Sequence, residues 1–126
     1  MELYIGGYAQ GKLQYVSNKY GIPAERISDG AVEDYRKMEG RVIYDHFHLW
    51  VRRLMEQGVD VEAALEELLA AQPDAVIISD EIGCGIVPMD AFEREYREKT
   101  GRLLCAIAAR ADRVERIVCG IGQQIK

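Results

Sequence analysis

The sequence is short of most of the features that would announce a function by composition. Basic residues do not dominate: 16 Lys and Arg stand against 21 Asp and Glu, a formal net charge of -5. A general nucleic-acid binder or a membrane-surface binder is favoured by the opposite balance, so the charge argues against both classes. No apolar run approaches the roughly 20 residues that span a bilayer, because the longest, such as Ala75 to Ser79 and Leu103 to Ala109, are far too short. The three cysteines, Cys84, Cys105 and Cys119, are odd in number and contain no C-x-x-C, which fits neither a disulfide framework nor a zinc site. They are expected to be reduced thiols used as small apolar residues. Histidine is scarce as well: His46 and His48 are two apart, which on a helix turns them to different faces and argues against a two-histidine metal site. The start, Met1-Glu2-Leu3-Tyr4-Ile5, lacks a basic stretch and reads as a strand and not as an export signal, so a cytoplasmic protein is expected. No low-complexity linker, repeat or composition shift divides the 126 residues, and a single domain over 1–126 is expected.

What is present is an alternation of short apolar runs with longer amphipathic stretches, the pattern of strands crossing over through helices to a mostly parallel sheet, so the class is α/β. Strands are expected at Glu2–Gly6, Glu25–Asp29, Arg41–Asp45, Ala75–Ser79 and Arg113–Cys119. Helices are expected at Lys12–Lys19, at Gly30–Met38 with Val32, Tyr35 and Met38 at helical spacing, and at His46–Gln57. Two more follow: Val61–Ala71 led by Asp60, and a long one begun by Asp90 and Glu93 in a capping-box-like start. The β-branched run at Ala75–Ser79 is typical of a strand buried on both sides.

The chemistry concentrates where these elements meet. Gly6-Gly7-Tyr8-Ala9-Gln10-Gly11-Lys12 has the spacing G-x-x-x-x-G-K of a phosphate-binding loop and sits between a strand and a helix, as that loop requires. Glycines let successive backbone N–H groups close round phosphate oxygens, the helix N-terminus favours the negative charge, and the lysine meets the outer phosphates. Gly6, Gly7, Gly11 and Lys12 supply these, and a purine nucleoside triphosphate, GTP or ATP, is the implied ligand. The residue after the lysine is Leu13 where a Ser or Thr hydroxyl would bind magnesium, so magnesium use is expected to be weakened. The rival reading of the loop is a glycine-rich turn with a surface lysine. Asp45 ends a strand-like run where such sheets place the carboxylate that holds magnesium through water; the competing role is N-cap of the following helix. Asp80 and Glu81 end the next strand, so two further carboxylates stand at the same edge.

The stretch Asp80-Glu81-Ile82-Gly83-Cys84-Gly85-Ile86-Val87-Pro88 resembles the adenosylcobinamide kinase / adenosylcobinamide-phosphate guanylyltransferase family of cobalamin biosynthesis, which carries N-E-x-G-x-G-I-V-P here. Asp80 replaces the usual Asn. The resemblance runs on through Thr100-Gly101-Arg102, Ala108-Ala109-Arg110-Ala111-Asp112 and Gly120-Ile121-Gly122, and it takes in the loop from Gly6 to Lys12. It implies a P-loop NTPase-like (RecA-like) three-layer fold, shortened here, that assembles as a trimer, phosphorylates adenosylcobinamide and transfers GMP to the product. Two departures bear on that expectation. The family's loop ends in Ser where Leu13 stands, and most of the family segment that carries the covalently guanylylated histidine is missing: no histidine lies between Gly11 and Asp45. Guanylyl transfer by that route is therefore expected to be lost.

For a kinase, the resemblance assigns Lys12 to stabilise the transferred phosphoryl group, Asp45 to hold magnesium and Glu81 to orient or deprotonate the substrate hydroxyl. The alternative is a nucleotide-sensing or scaffolding paralogue without transfer. A homo-oligomer is expected, with Tyr15, Tyr20, Phe47 and Trp50 placed near the shortened side, where each serves either a subunit contact or packing within the chain.

Overall fold

In the computed structural model, which describes residues 1–83 and 89–126, adjacent residues of the first strand serve different cores. β1 (Glu2–Gly6) sends Leu3 to one face of the sheet and Tyr4 to the other, both buried, as the period of two in a strand requires. Leu3 joins Tyr44, Ile77 and Val114 in a core covered by α2 (Phe47–Glu56), α3 (Val61–Ala71) and α4 (Ala91–Arg110). Tyr4 joins Ile43, Val76, Ile78 and Ile117 beneath α1 (Lys12–Tyr20), whose Val16 is buried against them. Helices thus cover both faces of the sheet, which is why β4 buries Val76, Ile77 and Ile78 in succession.

The other strands are β2 (Ile27–Asp29), β3 (Ile43–Asp45), β4 (Val76–Asp80), β5 (Arg113–Val118) and β6 (Ile121–Gln124). They lie in the order β2-β3-β4-β1-β5-β6, parallel throughout except for β6, which runs antiparallel to β5. This is the three-layer α/β, P-loop NTPase-like architecture expected of the sequence. Because β1 to β4 are parallel, their carboxyl ends share one edge, where such sheets bind ligands. The caps follow sequence chemistry: Asp60 and Asp90 accept from the backbone N–H of Ala63 and Glu93. Among the described residues no helix is long and apolar enough to cross a membrane.

Several expectations fail. Gly30–Met38 is not helical. The Asp29 carboxylate draws the Ala31 N–H into an Asx turn, and the Gly30 N–H pairs with the Asp45 carbonyl. A Cβ on Gly30 would fall 2.6 Å from the Trp50 side chain, so the chain is pressed against α2 and leaves in extended form. Beyond it, side chains and not a helix ladder satisfy the backbone: Arg36 N–H donates to Ser28, Met38 N–H donates to Gln72, and the Arg36 carbonyl accepts from the Tyr44 hydroxyl. The strand expected at Arg113–Cys119 forms as β5, but a further strand follows it: Cys119 and Gly120 both adopt left-handed conformations, φ 51° and 74°, and form a two-residue hairpin turn into β6. Phe47 and Trp50 are buried within the chain, so neither is available to a neighbouring subunit. Tyr15 and Tyr20 pack on the α1 side. Cys105 and Cys119 are exposed free thiols and do not pack as apolar residues, while Cys84 and the rest of the stretch to Pro88 lie outside the described residues.

Candidate functional site

β1 runs out at Gly6, where a side chain has no room: a Cβ there would meet the Ile117 carbonyl oxygen at 2.5 Å. The Gly6 carbonyl accepts from the Glu81 N–H at 2.8 Å, which ties the strand end to the end of β4. Gly11 has φ 81°, a conformation glycine adopts without strain, and it turns the loop into the first turn of α1. Lys12 therefore starts the helix with its side chain folded under the loop, only 8% exposed, and its Nζ donates to the Gly7 carbonyl at 2.7 Å. The same ammonium lies 2.6 Å from Asp80 Oδ1. Gln10 anchors the outside of the loop: its side-chain oxygen accepts from the Cys119 N–H at 2.7 Å and its carbonyl from the Gly120 N–H at 2.8 Å.

A cleft of about 520 Å³ opens above these groups, lined among others by Gly11, Lys12, Leu13, Asp45, His48 and Asp80. The structure thus brings together the loop, Lys12, Leu13 and Asp45. Leu13 is half-buried and packs toward the α1-side core, so the helix offers an alkyl group where a hydroxyl ligand would stand. Glu81 is placed apart, with its carboxylate paired to Arg116 at 3.2 Å and absent from the cleft lining. Asp45 is not the side-chain cap of α2. That position falls to His46, at φ 53° and with no side-chain cap bond, while Asp45 Oδ1 accepts from the His46 N–H at 2.9 Å. Burial holds the Asp45 carboxyl above the usual carboxylate range, against the opposing pull of the His46 ring and its N–H.

Sequence reasoning missed the site's histidines and one of its carboxylates. His46 and His48 do not diverge, since His46 lies outside the helix; their rings sit edge to face 5.9 Å apart and both line the cleft. His48 Nδ1 accepts from the Asp80 N–H at 3.2 Å, so Nε2 carries the proton and faces Asp80 Oδ2 at 3.4 Å. Burial drives its pKa down to about 4, beyond what the Asp80 charge restores, and the ring is neutral at pH 7. His46 Nδ1 meets Asp29 Oδ1 at 2.7 Å. Burial opposes charge on that ring, yet the Asp29 bond and the charges of Asp45 and Asp80 raise its pKa. The Asp29 carboxyl is itself held low despite burial, by the Ala31 N–H and the His46 ring. Asp29 was visible in sequence as the acidic end of a short strand, the same signal that marked Asp45.

The arrangement offers an ammonium at a helix N-terminus, a row of carboxylates on the next strands and a neutral imidazole, a set that suits a phosphate ester with a divalent cation. Comparison with known proteins places most of the chain, though not the loop from Gly6 to Lys12, in a family. Residues 23–125 match the family described as cobinamide kinase / cobinamide phosphate guanyltransferase. The chain is 36% identical over 81 residues to the bifunctional adenosylcobalamin biosynthesis protein CobU of Escherichia coli, an overlap of 61% of this chain and 44% of that one. It is 35% identical over 91 residues to the bifunctional adenosylcobalamin biosynthesis protein CobP of Pseudomonas aeruginosa, covering 68% of this chain and 53% of that one. The chain thus spans about half the length of the curated relatives it matches. The match over most of its residues, on a P-loop NTPase-like sheet, makes the chain a member of the cobinamide kinase / cobinamide phosphate guanyltransferase family.

Proposed function

We propose that the chain is a single nucleotide-binding domain that takes a purine nucleoside triphosphate, GTP or ATP, in the Gly6–Lys12 loop and acts in cytoplasmic corrinoid metabolism. The observation that carries the reading is Lys12: its ammonium lies at the N-terminus of α1 on the floor of an open cleft, held by two oxygens that phosphate oxygens can replace. Gly6, Gly7, Gly11 and Leu13 form the backbone cradle. Asp45 holds a magnesium ion through water beside the phosphates, and the ion's hold is weakened because Leu13 supplies no ligand. In a phosphoryl transfer to a corrinoid hydroxyl, Lys12 stabilises the transferred group and Glu81, released from Arg116, orients the acceptor. A homo-oligomer, a trimer by family resemblance, completes the assembly.

Thermal melts with GTP, ATP and adenosylcobinamide, with and without magnesium, test the reading. A bound nucleotide at 100 times its dissociation constant adds about 2.7 kcal/mol, whereas a purely structural loop gives no shift. Light scattering at micromolar concentration tests the oligomer, and a strictly monomeric mass removes it. A second reading, a nucleotide-sensing or scaffolding member without transfer, is supported by the alkyl group of Leu13 and by the closed Lys12–Asp80 pair. It is distinguished by triphosphate binding with no phosphorylated corrinoid formed.

A further inference from the structure

A second cavity, about 570 Å³ in volume, lies between α1 and the β5–β6 hairpin, lined by Gln14, Tyr15, Asn18, Lys19 and Arg113 among others. Its size is that of a small-molecule site. Gly11, Gln14, Tyr15 and Asn18 follow the i, i+3, i+4, i+7 spacing that gathers residues on one helix face. Gly11 and Gln14 also line the phosphate cleft, so the two cavities meet at the first turn of α1. Tyr15 is fixed from behind. Its hydroxyl donates to the buried Glu115 carboxylate at 2.6 Å, and its ring fills the space that a Cβ on Gly122 would enter. Glycine weakens a strand interior, and at this place in β6 it is what lets the ring lie across the strand. The polar groups around the ring keep unused capacity. Gln14 Nε2 donates to Asn18 Oδ1 at 3.1 Å, which leaves Gln14 Oε1 and Asn18 Nδ2 without a hydrogen bond among the described residues. Lys19 Nζ gives two of its three protons, to Glu115 and to the Tyr4 hydroxyl, and keeps one for a further acceptor.

We propose that this groove is the base subsite of the nucleotide and that it selects guanine over adenine. A ligand with its phosphates at Lys12 passes over Gly11 and lays its purine on Tyr15, a ring already held in place, so little ordering is lost on stacking. Lys19 Nζ donates to the guanine carbonyl oxygen. Adenine carries an amino group at that position and would set donor against donor, leaving both without a partner. Gln14 Oε1 and Asn18 Nδ2 supply an acceptor and a donor for the rest of the purine edge. This assignment rests on the reading that the Gly6–Lys12 loop takes a triphosphate, and it adds which base follows the phosphates and where.

Isothermal titration with GTP, ATP and inorganic tripolyphosphate at one magnesium concentration tests it, because tripolyphosphate carries the phosphates without a base. GTP is expected to bind at least about tenfold more tightly than tripolyphosphate and about tenfold more tightly than ATP. Tyr15→Leu lowers GTP affinity about tenfold more than it lowers tripolyphosphate affinity, and Tyr15→Phe, which retains the ring, loses less than Tyr15→Leu. Lys19→Met brings GTP and ATP toward equal affinity, a ratio that a purely structural loss of the Glu115 bond leaves unmoved. GTP no tighter than tripolyphosphate, ATP as tight as GTP, equal losses of GTP and tripolyphosphate in Tyr15→Leu, or an unchanged ratio in Lys19→Met each overturns the subsite. Tripolyphosphate binding that depends on Lys12 upholds the loop in any of those events, so the groove and the loop fail separately.

Discussion

Lys12 and Asp80 clasp each other across the floor of the cleft, with Nζ 2.6 Å from Oδ1 and side chains only 8% and 17% exposed. The residue that phosphate must engage is therefore already engaged, by an anion that stands where the family resemblance puts Asn. Asp80→Asn removes both the competitor and its charge. Triphosphate affinity is expected to tighten about tenfold, equivalent to about 1.4 kcal/mol, in isothermal titration. Unchanged affinity would show that Asp80 does not compete with phosphate.

Lys12→Ala acts in the opposite direction. A charge-assisted bond to phosphate contributes about 1.5–3 kcal/mol, so GTP or ATP binding is expected to fall about 10- to 100-fold. The bare nucleoside, which offers the ammonium nothing, loses far less. Equal losses for both ligands would remove Lys12 from the phosphate site.

Leu13→Ser restores a hydroxyl one residue beyond Lys12, at the first turn of α1. The dependence of nucleotide affinity on magnesium is expected to increase relative to the wild type, because a hydroxyl ligand is added where the loop now offers an alkyl group. Affinity measured across a magnesium series checks this, and an unchanged response counts against the loop geometry.

How much of this was legible in the sequence depended on the range of the interactions involved. The strand–loop–helix from Gly6 to Lys12 was readable because glycine spacing and a strand-to-helix junction are local properties, and the double-sided burial of β4 because an apolar run needs no partner to be noticed. The Gly30–Met38 error has a non-local cause. Val32, Tyr35 and Met38 have helical spacing, yet Tyr35 is held by the carbonyl of Asp45 at 2.6 Å and stacks on Trp50, contacts that only the tertiary fold provides. The same holds for His46, whose left-handed backbone takes it out of the helix on which the two-residue spacing was judged.

Glu115 carries the pH dependence of the opposite side of α1. Its side chain is 2% exposed and accepts from Tyr15 at 2.6 Å and from Lys19 and Arg113, each at 2.5 Å. Burial pushes its pKa up, but these three donors outweigh burial and bring it from 4.5 down to about 2. A carboxyl depressed in the folded state stabilises above its unfolded pKa, and that contribution is lost as pH falls from about 4.5 to about 2. The loss amounts to about 3 kcal/mol over that window. Glu115→Gln is expected to lower stability at neutral pH and to flatten the acid limb of a urea-denaturation series. A wild-type acid limb in the variant would place the titrating group elsewhere.

The bonds from Cys119 and Gly120 to Gln10 have a mechanical consequence. They fasten the rim of the phosphate loop to the tip of the β5–β6 hairpin, the outermost pair of strands on that side of the sheet. Any shift of Gln10 as the loop closes on a ligand is transmitted to that tip, which works as a lever arm ending in an exposed thiol. A fluorophore attached at Cys119 will then register filling of the cleft from outside it, without touching a group that contacts phosphate.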